Sequence, residues 1–365
     1  MKILTVIGAR PQFIKAATVS REIKRHKEIK EIIVHTGQHF DKSMSDIFFD
    51  EMEIPKPDYN LNINGLSHGA MTGQMMEKLD TILLNIRPDF VLVYGDTNST
   101  LAGALCASKL HFKVAHVEAG LRSYNMCMPE EINRIIVDRI SNVLFCPTDT
   151  AMNNLKKEGF NNFDCSIVKS GDVMYDAALY YAKKSSLKSL ILVDRLLKKD
   201  DYVLATIHRA ENTDDIARLS SIVKALNEIA KNERVVLPIH PRTKKILKQN
   251  KLGLKVDVID PVGYFDMLEL IKNCSLVMTD SGGLQKEAYF FGKKCITLRD
   301  ETEWVELVEG GFNQVVGSEY SKIIDSYNIS KSKNCDFSAS LYGEGNASKK
   351  IIETLQDSEI EICQN

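Results

Sequence analysis

What most constrains this chain is a recurring pattern of short apolar runs, rich in β-branched residues, bounded by Gly, Asp or Pro and separated by helical-looking segments. One series covers residues 2–8, 31–36, 90–95, 113–118, 143–147 and 166–171. A second covers 202–207, 234–239, 256–260, 275–279, 294–298 and 313–316. Runs that are apolar throughout, rather than alternating, mark parallel strands covered on both faces. Sequential parallel strands need right-handed helical crossovers, so each series predicts a doubly wound, Rossmann-like α/β domain. The length of 365 residues agrees, being about two domains' worth of chain. The expected division is a first domain over 1–175, a second over 176–345 and a final helical segment over 346–365. Residues 176–201 end in Lys198-Lys199-Asp200-Asp201 and hold no Pro- or Gly-rich linker. The two domains are therefore expected to face a central cleft, where ligands of such proteins usually bind.

Composition removes several alternatives. Hydrophobic residues make up 44% and charged residues 26%, which excludes a disordered or collagen-like chain. Lys and Arg number 47 against 49 Asp and Glu, a net charge of -2, so no global field favours nucleic acid or an anionic membrane. No apolar stretch reaches the roughly 18 residues of a membrane span, and the N-terminal run is too short for a secretory signal. The eight cysteines are scattered with no C-x-x-C pair, so neither a zinc site nor a disulfide framework is expected. The expectation is a cytoplasmic protein with no nucleic-acid or membrane partner.

Open parallel sheets bind ligands beyond the carboxyl ends of their strands, and those ends are rich in polar residues here. The run at 2–8 leads into Gly8-Ala9-Arg10-Pro11-Gln12-Phe13-Ile14-Lys15, where a helix N-terminus flanked by Arg10 and Lys15 can hold a diphosphate. Solvated cations on a strand-to-helix turn are the plainer reading of the same residues. Asp96 and Glu118 follow the runs at 90–95 and 113–118, whose strands are expected to be neighbours. Glu130 and Glu131 open a helix at Pro129, where acids also satisfy the helix dipole, so capping remains an alternative for either. Crowded carboxylates raise one another's pKa and can thus supply an acid and a base near neutrality. In the second series His208-Arg209 and His240-Pro241-Arg242 end two runs. Thr279-Asp280-Ser281-Gly282-Gly283 opens a helix with amides free of Cβ obstruction, suited to phosphate. Glu287 lies further along that helix, where a carboxylate can accept both ribose hydroxyls. Arg299 ends the run at 294–298 and precedes Trp304, the one tryptophan. Neither a Walker A sequence nor a G-x-G-x-x-G after the first run is present, which disfavours an NTPase and a dinucleotide dehydrogenase.

The segments IGARPQFIK, TGQHF, YGDTNST, HVEAGLR, MPEEINR, HRAEN, TDSGGLQKEA, FGK, RDETEW and LYGEGNASKKI together resemble the non-hydrolysing UDP-N-acetylglucosamine 2-epimerase family, in order and from the first run to about Leu355. The resemblance implies the glycosyltransferase-B (GT-B) architecture, with a last helix that returns to the first domain. It also implies the reaction: anti elimination of UDP to a 2-acetamidoglucal, then re-addition with a proton delivered to the opposite face of C2. On this resemblance Asp96, Glu118 and Glu130 match the catalytic carboxylates, and His208 matches the histidine that assists the departing diphosphate. Arg10, Lys15 and Arg134 match residues around the phosphates and sugar. Ser281, Gly282 and Gly283 match the phosphate loop, and Glu287 the ribose ligand. His240 and Arg299 are counted with the substrate-binding residues. A UDP-sugar partner, no metal or other cofactor, a homodimer and a place in bacterial surface polysaccharide synthesis (O-antigen or capsule) are further implications.

The chain departs from the UDP-N-acetylglucosamine enzymes at two places. Ser123 to Met128, between HVEAGLR and PEE, is two residues short, and Trp304-Val305 stands where Arg-Pro is usual. Both features look more like the branch acting on UDP-2,3-diacetamido-2,3-dideoxyglucuronate. The family's activator site uses a Gln-His and an Arg-Gln pair. Gln38-His39 is retained, but no Arg-Gln occurs near Gly65-Leu66-Ser67-His68, so hyperbolic kinetics are expected. A GT-B glycosyltransferase, a hydrolysing 2-epimerase and a non-enzymatic UDP-sugar sensor are the competing readings.

Overall fold

A computed structural model of the chain describes residues 1–38, 53, 56–332 and 335–360. It divides into two compact units: residues 1–177 with the segment from Ser340 onward, and residues 178–339. Each is a wholly parallel sheet with helical crossovers, as the apolar runs predict.

In the first unit the strands are β1 (Lys2–Ile7), β2 (Lys30–His35), β3 (Tyr59–Asn60), β4 (Phe90–Tyr94), β5 (Lys113–Val117), β6 (Val143–Cys146) and β7 (Ser166–Lys169). Their order is β3-β2-β1-β4-β5-β6-β7. The chain starts at β1, moves outward through β2 and β3, then crosses to β4 and moves the other way. The order thus reverses between β1 and β4, which pair with Leu4 opposite Val91 and Val6 opposite Val93. Helix α1 (Arg10–Ile23) follows β1, α2 (His68–Ile86) precedes β4, α3 (Asn98–Lys109) follows it and α4 (Pro129–Ile140) follows β5. Leu4, Val6, Val91, Val93 and Val114 of the sheet pack with Met75, Leu79 and Leu83 of α2, Ala104 and Ala107 of α3, and Val137 of α4 in one core. The short β3 escapes the sequence pattern because both its residues are exposed and neither face is apolar. After β6 come α5 (Asp149–Lys157), β7 and α6 (Val173–Lys188), and α6 runs through the division between the units.

The second unit opens with the latter part of α6, followed by α7 (Ile191–Asp194), and its sheet comprises β8 (Tyr202–Thr206), β9 (Arg234–Pro238), β10 (Asp257–Ile259), β11 (Leu276–Thr279), β12 (Cys295–Thr297) and β13 (Asn313–Val315), ordered β10-β9-β8-β11-β12-β13. The reversal falls between β8 and β11. Helices α8 (Ala210–Thr213), α9 (Ile216–Ile229), α10 (Pro241–Gln249), α11 (Tyr264–Asn273), α12 (Gly282–Phe290), α13 (Val305–Glu309) and α14 (Tyr320–Ser332) connect them. Helix α9 starts where Asp215 accepts hydrogen bonds from the Ala217 and Arg218 amides at 2.9 and 3.1 Å, a side-chain N-cap.

The final helix, α15 (Ala347–Ile360), belongs to the first unit and packs on α1. Asp176 of α6 accepts from the Ala347 and Ser348 amides at 3.1 and 2.8 Å, fixing its start. Among the described residues no helix is long and apolar enough to cross a membrane, and no group of three or more His, Cys, Asp or Glu is placed to hold a metal ion.

Candidate active site

In the first unit the predicted residues gather at the β1–β4 reversal, where open sheets of this order bind ligands. Gln12, fully buried in the first turn of α1, is the pin. Its side-chain oxygen accepts from the Gly8 and Ala9 amides at 2.8 and 3.0 Å. Its amide nitrogen donates to the Tyr94 carbonyl and the Thr100 hydroxyl, both at 2.9 Å. One side chain therefore ties the end of β1 to the end of β4 and the start of α3. Arg10 begins α1, and its backbone position is all that the structure describes of it.

Lys15, one turn further along α1, is buried and forms an ion pair with Glu118. A Cβ on Gly95 would lie 3.1 Å from the Lys15 ammonium, and it is the φ of +62° that calls for glycine there. Asp96 follows. Arg134 of α4 donates to its Oδ2 from Nε at 3.0 Å, with Nη2 at 2.9 Å, and Asn133 donates to its backbone carbonyl at 2.8 Å. Asp96 and Glu118 thus stand on adjacent strand ends, each against one cation, with Asp96 still 29% exposed and able to meet a ligand. Glu118 itself is held at φ +73°, a conformation that costs a residue with a Cβ about 1–3 kcal/mol and that clusters at functional sites.

The two acids that open α4 separate cleanly. Glu131 is fully buried and accepts from the Ser123 amide at 3.0 Å, the Ser123 hydroxyl at 3.1 Å and the Tyr124 amide at 2.9 Å, besides pairing with Arg134. Its oxygens are committed to the loop and to Arg134. Glu130 is exposed on the same turn, with its carboxylate open to solvent.

In the second unit His208 and Ser281 follow the two strands of the reversal, β8 and β11, while His240 follows β9 and Arg299 follows β12. Asp280, fully buried at the end of β11, accepts from the His208 amide at 3.0 and 3.1 Å, the Arg209 amide at 3.0 Å and the Asn212 side chain at 3.2 Å. The His208 ring places Nδ1 3.1 Å from Asp280 Oδ1. Burial alone would raise the Asp280 carboxyl, but the His208 bond and charge, the Arg209 amide and Asn212 outweigh it and hold it below its ordinary value. Asp280 thereby orients the half-exposed imidazole, leaving Nε2 for a ligand. Ser281 occupies the N-cap position of α12 without a side-chain capping bond, and Gly282 and Gly283 form the first turn. A Cβ on Gly282 would come within 2.5 Å of Glu303 Oε1, whereas one on Gly283 would meet nothing. Glu303 is itself tied to the buried Arg299 at 3.0 Å, so Arg299 braces the glycine turn through Glu303. Trp304 lies beside that turn with the Lys286 ammonium 4.0 Å from its ring centroid. Glu287 is buried next to the Tyr264 hydroxyl, whose pKa is driven well above the usual value by burial first and then by the Glu287 charge. His240 caps α10, its Nδ1 accepting from the Arg242 amide at 3.2 Å, with the ring exposed.

Sequence reading missed the supporting roles of Gln12, Asn133 and Asp280, and it left Glu130 and Glu131 unseparated. Asp280 sits in the quoted segment TDSGGLQKEA and could have been found by asking what orients a strand-end histidine. Gln12 carries no sequence signal that separates it from any first-turn glutamine. His39 lies outside the described residues, while Gln38 accepts from the Ser99 amide at 3.0 Å.

The sequence profile of the UDP-N-acetylglucosamine 2-epimerase family matches residues 21–356. The UDP-2,3-diacetamido-2,3-dideoxy-D-glucuronate 2-epimerase of Pseudomonas aeruginosa is 56% identical over 97% of this chain and 99% of its own. The UDP-GlcNAc 2-epimerase of Methanocaldococcus jannaschii, solved in complex with UDP-GlcNAc and UDP, superimposes with a TM-score of 0.89 at 42% identity, covering 98% of this chain and 99% of its own. That of Neisseria meningitidis, bound to UDP-GlcNAc, gives 0.87 at 34% identity, with 98% and 100% covered. Matches of this extent, over a chain that places its acids and its glycine turn at two sheet reversals, show that it is an epimerase belonging to the UDP-N-acetylglucosamine 2-epimerase family.

Proposed function

We propose that the chain inverts C2 of a UDP-2-acetamido sugar without releasing the sugar. The observation that carries the reading is the pair Asp96 and Glu118 on adjacent strand ends, one facing Arg134 and the other Lys15. A C2 proton is too weakly acidic for simple removal and return, so the step is coupled to loss of UDP. A carboxylate takes the C2 proton while the C1–oxygen bond to UDP breaks, leaving a 2-acetamidoglucal and UDP. UDP then re-forms the bond at C1 as a second acid protonates C2 on the other face. Asp96, Glu118 and the solvent-open Glu130 are the candidate acids and bases, and their contribution is general acid–base catalysis. Departing UDP is met by the His208 imidazole that Asp280 orients and by the amides of Ser281 to Gly283. Glu287 takes the ribose hydroxyls, and Arg10, Lys15, Arg134, His240 and Arg299 complete the binding set. No step calls for a metal or a nicotinamide.

For the substrate, the 56% identity to the Pseudomonas aeruginosa enzyme supports the diacetamido uronate over the UDP-GlcNAc enzymes above at 42% and 34%, while a UDP-N-acetylglucosamine 2-epimerase homolog of Methanococcus maripaludis stands at 53%. The short Ser123–Met128 loop, held by Glu131, points the same way. We place the protein as a homodimer in the cytoplasm, in the synthesis of surface polysaccharide. Chromatography of separate incubations with UDP-GlcNAc and the diacetamido uronate tests the reading. The expected result is an equilibrating pair of C2 epimers, formed more efficiently from the uronate. Equal or better turnover of UDP-GlcNAc overturns the substrate assignment, and UDP accumulating with free sugar overturns the non-hydrolysing one.

A further inference from the structure

Behind the strand ends of the first unit runs a buried polar chain that the reaction scheme does not use. His116 of β5 is fully buried, with Nδ1 2.7 Å from Asp138 Oδ1 and Nε2 2.8 Å from the Gly95 carbonyl oxygen. A carbonyl only accepts, so Nε2 is a donor here. The second oxygen of Asp138 accepts from the Gly120 amide at 3.1 Å and from Arg122 Nη1 at 2.7 Å. Arg122 in turn holds Glu158 through Nε and Nη2 at 2.7 and 2.8 Å. Burial alone would raise the Asp138 carboxyl, but His116 and Arg122 hold it below its ordinary value.

Stability alone does not call for charges at this depth, since apolar side chains of similar volume often replace a buried ion pair without loss. What sets these apart is where they attach. Gly95, at φ +62°, immediately precedes Asp96, and Gly120, at φ +79°, lies two residues beyond Glu118. Glu118 sits between them in a left-handed conformation that a residue with a Cβ adopts only when its surroundings impose it. The Glu118 and Ala119 amides both donate to the Phe145 carbonyl, at 3.1 and 3.0 Å, and the Gly95 amide donates to the Val117 carbonyl at 2.9 Å. Asp138 is thus joined to the Asp96 turn through His116 and to the Glu118 turn through the Gly120 amide. The backbone bonds alone leave the Gly95 carbonyl and the Gly120 amide without these partners.

We propose that Asp138 and His116 are positioning residues that set the two strand-end turns, and with them the Asp96 and Glu118 carboxylates, relative to each other for proton transfer at C2. The inference rests on the epimerase reading above. An error of about 1 Å in the placement of a reacting group can lower a rate on the order of 100-fold, so the effect belongs in kcat. The test compares the full-length protein with Asp138→Asn, His116→Leu and His116→Gln. It measures kcat and KM for the better UDP-sugar, deuterium entry at C2 and thermal unfolding. Asp138→Asn and His116→Leu are expected to lower kcat and exchange by roughly 10- to 100-fold with KM within about three-fold. His116→Gln, whose side-chain amide can still donate to the Gly95 carbonyl, is expected to recover much of the loss. The proposal is overturned if folded Asp138→Asn and His116→Leu keep kcat within about two-fold of the parent. It is equally overturned if His116→Gln is no better than His116→Leu, a comparison that decides the matter even where Asp138→Asn fails to fold. Absence of exchange in the parent protein overturns the epimerase reading first, which separates the two failures.

Discussion

At the scale of single residues, the site divides into groups that meet the ligand and groups that hold them. On the proposed function Asp96→Asn and Glu118→Gln each remove a proton carrier while keeping the shape, so turnover should fall about 100- to 10,000-fold while UDP affinity measured by calorimetry stays within a few-fold. A variant of either that keeps near-parental turnover would remove that residue from the chemistry. Glu131 belongs to the holding group: its removal deprives the Arg134 charge, itself 4% exposed, of a buried acid it pairs with. Glu131→Ala should therefore lose about 3–5 kcal/mol in urea unfolding, and a loss under about 1 kcal/mol would contradict its role as the buried anchor. Asp280 gives a prediction with a sign. Its folded pKa is depressed below the ordinary 3.8, so its stabilisation is complete above that value and is lost as pH falls through the folded value. The stability gap between the parent and Asp280→Asn should be widest near pH 7 and shrink below about pH 4, as read by denaturant unfolding at each pH. A gap unchanged down to about pH 3 would contradict the assignment.

At the scale of elements, strands were legible because parallel strands buried on both faces are apolar along their whole length, and the runs ended at the residues that now stand at the site. Asp96, Glu118, His208 and Ser281 follow β4, β5, β8 and β11 as their positions in the sequence predicted. What the sequence concealed is physical in origin. The short β3 has no buried face to pattern it, and Gln12, Asp138 and His116 act by pairing across segments far apart in the chain, which no local period records. The choice between Glu130 and Glu131 was likewise invisible, because both satisfy the α4 dipole and only packing shows which one is committed. Two element-level changes test the framework. A Cβ on Gly120 would lie 2.5 Å from the Ala151 carbonyl oxygen at φ +79°, so Gly120→Ala should destabilise by about 1–3 kcal/mol or more. Deleting the chain from Asn346 onward uncovers α1 and strips Asp176 of the Ala347 and Ser348 amides, and should lower the unfolding temperature of the first unit. Unchanged melting would mean that α15 is dispensable to that unit.

At the scale of the whole molecule, a net charge of -2 conceals a local arrangement. In the first unit Lys15 and Arg134 each face an acid, and in the second the glycine turn and His208 offer donors to an anion. Each sheet brings these groups to its own point of reversal, and on the proposed function one architecture used twice serves proton chemistry in one unit and diphosphate recognition in the other. On the proposed function C2 loses and regains a proton while the nucleotide sugar is conserved. Proton NMR of a UDP-2-acetamido sugar incubated with the protein in heavy water tests it most directly. Deuterium is expected at C2 of the intact nucleotide sugar in both epimers, without free sugar. Free sugar accumulating with UDP, or no exchange at C2 in any UDP-2-acetamido sugar, would contradict it.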